Sequence, residues 1–246
     1  MASTSQRLDQ LLVAHAQAES REKAQRLILA GRVRVNGRIA DKPGRRIPPD
    51  AEVTVKAGAR FVGRGGEKLE HALQVFHPDV SGLVCLDVGA STGGFTDCLL
   101  QHGAARVYAV DVGTGQLHWK LRNDSRVVIM DKVNARYLRP EDIPEPVEFA
   151  VMDVAFISLT KVMPAVKDIL HSGACMLTLI KPQFEAERRE VCRGGVVRDP
   201  EARQRAVERI RRCGENELDL KWLGICESPL KGPAGNVEYL AYWEVS

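Results

Sequence analysis

The 246-residue chain has no C-x-x-C pair, no H-E-x-x-H motif and no G-x-G-x-x-G loop. The first two absences remove the commonest zinc and dithiol signatures, so no metal site is expected. The third removes the dinucleotide fingerprint and disfavours a nicotinamide dehydrogenase. The six cysteines (85, 98, 175, 192, 213 and 226) are scattered, several in apolar runs, and read as reduced thiols of a cytoplasmic protein. No apolar run is long enough to span a bilayer, and the first seven residues hold no apolar signal core. Aromatics make up only 5% of the chain, which leaves little for base stacking in any nucleic-acid role. Net charge is small too, at +3.

That small sum hides an uneven distribution. Residues 1–62 hold 12 Lys/Arg and 6 Asp/Glu, so the remainder is mildly acidic. A basic end beside an acidic body points to a polyanionic partner for the first segment. Leu8, Leu11, Leu12 and Ala16 make a helical stripe, and Ser20 can cap a second helix carrying Ala24, Leu27 and Ile28. Gly31 falls where a left-handed C-terminal cap belongs. Val33 and Val35 alternate with arginines before Asn36-Gly37, a two-residue hairpin turn, and Val53 and Val55 form another short strand. Arg7, Arg21, Lys23, Arg26, Arg32, Arg34, Arg38, Lys42, Arg45 and Arg46 supply the charge, the last three in a Pro/Gly loop. Such a module grips phosphates and RNA shape.

The larger part is organised around residues 83–95. A short apolar strand ends at Asp87-Val88; Gly89, Ser91, Thr92, Gly93 and Gly94, with Phe95 after them, form the loop and the start of a helix expected around residues 94–102. The acid-x-Gly-x-small-x-Gly spacing suits a nucleoside-type cofactor without a pyrophosphate, as in S-adenosylmethionine sites. Asp111 ends the next strand, where ribose hydroxyls find a carboxylate; Asp131 ends the third, near an adenine edge. A glycine-rich joint, 61–66, precedes a helix with Lys68 in its first turn. Further strands end at Asp153 and Lys181, helices are expected over 159–170 and from Asp199-Pro200 to 213, and a terminal hairpin has Glu238 at the start of its second strand. Alternating strands and helices predict an α/β fold: a doubly wound, mostly parallel, Rossmann-like sheet after a small α+β N-terminal domain. The expected domains are 1–60 and 67–246, with 61–66 as linker.

Lys68, Asp153, Lys181 and Glu238 all fall on the ligand side of that sheet. Two lysines and two carboxylates beside an activated methyl donor suit transfer to a poor nucleophile such as a ribose hydroxyl. Lys181 is assigned to the hydroxyl, as base or as electrostatic clamp, with Asp153 and Glu238 positioning it and Lys68 completing the network.

Two resemblances accompany these readings. Arg7-Leu8-Asp9-x-Leu11-Leu12, Ser20-Arg21-x-x-Ala24 and Gly31-x-Val33-x-Val35-Asn36-Gly37 resemble the alpha-L RNA-binding domain of the fourth small-subunit ribosomal protein and of pseudouridine synthases. Asp87-Val-Gly-Ala-Ser-Thr-Gly-Gly-Phe95, Asp111-Val-Gly-x-Gly-Gln-Leu117, Asp153-Val-Ala-Phe-Ile-Ser-Leu159, Ile180-Lys-Pro-Gln-Phe-Glu185 and Gly235-Asn-Val-Glu-Tyr-Leu240 resemble the TlyA, or hemolysin-A-like, family with its FtsJ-type catalytic domain. The resemblance implies S-adenosylmethionine-dependent 2'-O-methylation of ribosomal RNA, usually at cytidine, with ribosomal RNA or subunits as partners. It places the family's Lys-Asp-Lys-Glu tetrad on Lys68, Asp153, Lys181 and Glu238. Arg64, in the glycine-rich joint, joins the candidate RNA-binding cations. Gly63 and Ala155 stand where serines are common. A non-catalytic RNA-binding protein on the same fold, and the membrane lysis suggested by the family's older name, are the rival readings.

Overall fold

The computed structural model describes residues 5–56 and 58–246; the expectation of no signal core falls partly on residues 1–4, outside that range. The chain divides into two compact units, Met1–Arg60 and Phe61–Ser246.

In the first unit, β1 (Gln6–Arg7) leads into α1 (Leu8–Ala14), α2 (Arg21–Leu29), β2 (Val33–Val35), β3 (Arg38–Ile39), β4 (Arg46–Ile47) and β5 (Val53–Val55). Helix α1 stops before Ala16, whose φ of 55° is left-handed. Helix α2 is capped as its sequence demands: the Ser20 side chain accepts the Lys23 N–H, and Gly31 turns left-handed just beyond its end. Asn36 and Gly37 both have positive φ, the signature of a type I′ hairpin, and β2 pairs antiparallel with β3 and β5. Arg46, expected in a loop, instead pairs with Arg7 in a two-residue ladder between β1 and β4. Leu8, Leu12, Ile28, Val33 and Ile47 close a small core.

The second unit is a seven-stranded sheet. Its elements are α3 (Gly65–Phe76), β6 (Val84–Val88), α4 (Gly94–Gln101), β7 (Arg106–Asp111), α5 (Trp119–Arg122), β8 (Val127–Asp131), β9 (Val147–Met152), α6 (Met163–Ile169), β10 (Leu170–Ile180), α7 (Pro182–Glu185), α8 (Pro200–Arg212), β11 (Leu220–Glu227) and β12 (Tyr239–Val245). The strand order is β11-β12-β10-β9-β6-β7-β8, parallel from β10 to β8, with β12 antiparallel to both β10 and β11. The pleat separates two cores. Along β7, Val107 and Ala109 join the cluster around Leu69, Leu99 and Phe149, while Tyr108 and Val110 join the one around Leu86, Met163 and Trp243.

Two local departures have plain causes. The helix expected over 159–170 opens with a separate 3₁₀ turn at Leu159–Lys161, because Pro164 fits only the first turn of the α-helix that follows. The 61–66 stretch packs within the second unit. Phe61 is buried, and Gly65 and Gly66 already belong to α3. A Cβ on Gly94 would lie 2.9 Å from the Gly66 nitrogen, so these glycines let the starts of α3 and α4 touch backbone to backbone. The six cysteines are free, and burial pushes the Cys85 thiol up to about 12, leaving it inert at neutral pH. Among the described residues, no helix is long and apolar enough to cross a membrane.

Candidate active site

The loop after β6 is built by three left-handed residues, Gly89 (φ 84°), Ser91 (φ 49°) and Gly93 (φ 92°). Gly89 cannot carry a side chain: its Cβ would lie 2.5 Å from the Asp153 carbonyl oxygen. The loop is therefore held against the end of β9, where the Asp153 N–H donates to the Val88 carbonyl. Asp111 braces it from the other side, accepting the Ser91 N–H at 2.8 Å on one oxygen and the Gly113 N–H at 2.7 Å on the other.

Asp87 lies beneath the loop, fully buried. One carboxylate oxygen accepts the Thr96 hydroxyl at 2.6 Å and the other has no partner. Burial pushes this carboxyl up to about 7, against the opposing effect of the Thr96 bond.

Four side chains from distant positions reach one cavity of about 280 Å³ in front of the loop. Lys68 comes from the first turn of α3, Asp153 from the end of β9, Lys181 from the end of β10 and Glu238 from the start of β12. They form two ion pairs: Lys68 Nζ to Glu238 Oε2 at 2.5 Å, and Lys181 Nζ to Asp153 Oδ1 at 2.5 Å. Glu238 thus pairs with Lys68, where the sequence suggested that it would join Asp153 at Lys181. Glu238 is 1% exposed and Lys68 is also buried, so each requires the other as counter-charge. Gly89, Ser91, Thr92, Gly94 and Phe95 line the same cavity, as do Arg64, Lys231 and Pro233.

A second, more apolar cavity of about 360 Å³ shares Gly89, Ser91 and Asp153 with the first. Val88, Val110, Val112, Val133, Phe156 and Ile157 wall it, with Asp111, Gln116 and Asn134 as its polar groups. Of the expected cofactor residues, Asp87, Gly93 and Asp131 line neither cavity. Asp131 is held at the end of β8. Its carboxylate accepts the Gly115 N–H at 3.0 Å and lies 3.7 Å from Arg122. Asn134, three residues on, lines the pocket instead; a search for strand-end acids passes over an amide. Sequence reasoning also missed Asn236, buried between the Val197 N–H and the Gly195 carbonyl, which braces the chain just before Glu238. Among the described residues, Glu70, Cys98 and His102 place metal-ligand atoms within 4.8 Å of one another, and there His102 meets Glu70 at 2.7 Å.

In the first unit, Arg7 and Arg21 both bond the buried carboxylate of Asp9, at 3.0 and 2.9 Å. They lock α1 to α2 while staying partly open to solvent. Lys23, Arg34, Arg38, Lys42, Arg45 and Arg46 are exposed, and Arg32 is half-buried. These positions leave a set of cations available to phosphates.

Comparison with known proteins agrees with this division. The FtsJ-like methyltransferase family profile matches residues 61–244, and the S4 domain profile matches residues 6–53. The chain is 46% identical over 238 residues to the 16S/23S rRNA (cytidine-2'-O)-methyltransferase TlyA of Mycobacterium tuberculosis, covering 96% of this chain and 88% of that one. It is 44% identical to Hemolysin A of Brachyspira hyodysenteriae, covering 96% and 99%. A solved structure from Streptococcus thermophilus, provisionally named a hemolysin, is 43% identical with a TM-score of 0.74, covering 100% of this chain and 90% of that one.

Proposed function

The chain belongs to the FtsJ-like methyltransferase family, and from that premise we propose that it transfers a methyl group from S-adenosylmethionine to a ribose 2'-hydroxyl, that of a cytidine, in ribosomal RNA. The observation that carries this reading is the meeting of two lysine–carboxylate pairs with the glycine loop at one cavity. The acceptor class follows the relatives named rRNA (cytidine-2'-O)-methyltransferases.

The residues present suit the cofactor. Gly89 lets the loop pack directly on the Asp153 backbone where both cavities meet, and the apolar pocket between Val112, Val133 and Phe156 has the size and polarity for a nucleoside, with Asp111 and Asn134 at hand for its polar edges. When bound, the cofactor supplies an electrophilic methyl group. The chain must then align a ribose oxygen and stabilise the charge it gains as its proton departs. Lys181, fixed by Asp153, presents its ammonium group to that oxygen, and the hydroxyl proton leaves to water in the cavity. Lys68 and Glu238 form the second wall of the cavity and keep the four charges balanced, so that an uncharged hydroxyl can enter without a large desolvation cost. The exposed cations of the first unit grip RNA phosphates.

Labelled-methyl transfer to ribosomal RNA, followed by mapping of 2'-O-methylated positions, tests the reading. Lys181→Ala is expected to lose roughly 100-fold or more in kcat while still binding cofactor. Wild-type turnover by that variant would remove Lys181 from the chemistry. Tight RNA binding without cofactor binding would favour a non-catalytic protein instead.

A further inference from the structure

We infer that Glu185 is a positioning residue that sets the Asp153–Lys181 pair, by clamping the loop that carries the acid to the turn that carries the lysine. The inference rests on the methyl-transfer reading above.

Asp153 and Lys181 stand just past the ends of adjacent parallel strands, β9 and β10; an irregular loop follows the acid and the short helix α7 follows the lysine. Strand pairing alone fixes neither side chain beyond the last ladder residue. Glu185, four residues after Lys181, is 3% exposed. One of its oxygens accepts the Ser158 hydroxyl at 2.5 Å and the other accepts the Leu159 N–H at 2.8 Å. Both donors lie on the loop leaving Asp153, so a buried carboxylate bridges the two segments that must bring the ion pair together. Arg209 of α8 donates to the Glu185 carbonyl at 2.9 Å and anchors the turn from behind. The bridged loop holds its other end through the Asp153 N–H to β6.

Between these two anchors sits Phe156, left-handed at φ 63° and 92% exposed, with its ring 5.3 Å from that of Phe184. A phenylalanine adopts this backbone only where its surroundings impose it. Fixed ends five residues apart are such a constraint, and Glu185 supplies one of them. Burial raises the Glu185 carboxyl above its ordinary value, while the Ser158 and Leu159 bonds hold the charged form against it.

The test uses full-length protein. Glu185→Gln exchanges one acceptor for a donor facing the same loop; Ser158→Ala removes one donor and serves should the first variant fold poorly. Expected for Glu185→Gln is a fall in kcat of about tenfold or more, with KM for cofactor and RNA within about twofold. Faster amide hydrogen exchange over residues 153–159 is expected in the same variant, a readout independent of turnover. Ser158→Ala should show the same split at roughly a third of the loss on a logarithmic scale. In an Asp153→Asn background, Glu185→Gln should add less than about twofold, because the pair it positions is already broken. Unchanged kcat and exchange in Glu185→Gln, or a full tenfold loss on top of Asp153→Asn, overturns the inference. Wild-type turnover by Lys181→Ala would overturn the parent reading and this one together; an inactive Lys181→Ala beside an unaffected Glu185→Gln overturns this one alone.

Discussion

Replacing Lys68 by methionine strands a carboxylate. Glu238 is 1% exposed and its partner is Lys68, at 2.5 Å. Breaking a buried pair from one side typically costs about 3–5 kcal/mol, because the remaining buried charge loses its counter-ion. For a unit the size of residues 61–246, each kcal/mol moves the midpoint by about 2–4 °C, so Lys68→Met should lower Tm by roughly 6–20 °C. Replacing both members removes the stranded charge. The Lys68→Met/Glu238→Met protein should recover most of the lost stability, since methionine has nearly the volume of either side chain and an apolar pair in place of a buried ion pair is often neutral. Methyl transfer should not recover, because the recovery concerns folding and the ion pair serves the cavity. Scanning calorimetry on the wild type, both single variants and the double variant gives the coupling, and a labelled-methyl assay gives activity. A drop under about 2 °C in Lys68→Met, or a double variant as unstable as the sum of the singles, would refute the claim that these charges depend on each other.

Three further outcomes are expected. Gly89→Ala must place a Cβ 2.5 Å from the Asp153 carbonyl at a φ of 84°, so calorimetric titration should show cofactor binding weakened about tenfold or more, whereas Lys181→Ala binds normally. Asp87 is pushed up from 3.8 to about 7 by burial, so folding favours its protonated form; its contribution to stability is full below about pH 4 and is lost as pH rises through 7. That loss is at most about 4 kcal/mol, and Asp87→Asn should accordingly show a stability advantage that grows from pH 5 to pH 8 in denaturant titrations; an advantage independent of pH would contradict it. Asp9 is held well below the usual carboxylate range by Arg7, with Gln25 and Arg21 adding to the effect, so its contribution is present above about pH 4 and fades as pH falls below that; Asp9→Ala should destabilise the first unit by about 1–3 kcal/mol at pH 7, measurable by hydrogen exchange in α1 and α2.

Local features of this protein were legible before any coordinates. The Asn36-Gly37 turn, the Ser20 cap and the Gly31 terminator each act within a few residues, so their chemistry is written in adjacent letters. The loop from Asp87 to Gly94 belongs to the same class: its small residues and its acid specify a strand, a tight turn and a helix wherever they occur. Strand ends at Asp111, Asp153 and Lys181 followed from apolar runs with polar terminators. The 61–66 glycines were legible only as a glycine-rich joint, because one contact they serve is distant in sequence: a Cβ on Gly94, 28 residues after Gly66, would lie 2.9 Å from the Gly66 nitrogen.

Pairing was decided by the tertiary structure. Sequence and family resemblance marked Lys68, Asp153, Lys181 and Glu238 as one set, yet nothing local says which lysine meets which acid. Lys68 and Glu238 are 170 residues apart, and they pair because α3 and the start of β12 bury them together. The same holds for Asp131: its place at a strand end is legible in the sequence, whereas its contacts with the Gly115 N–H and with Arg122 come from the fold. Asp87 looked like one acid among several until its burial left an oxygen without a partner. Periodicity, turns and caps depend on neighbours along the chain and can be read there. Burial, and with it the strength and partner of every charge in this site, depends on what the rest of the chain places around it.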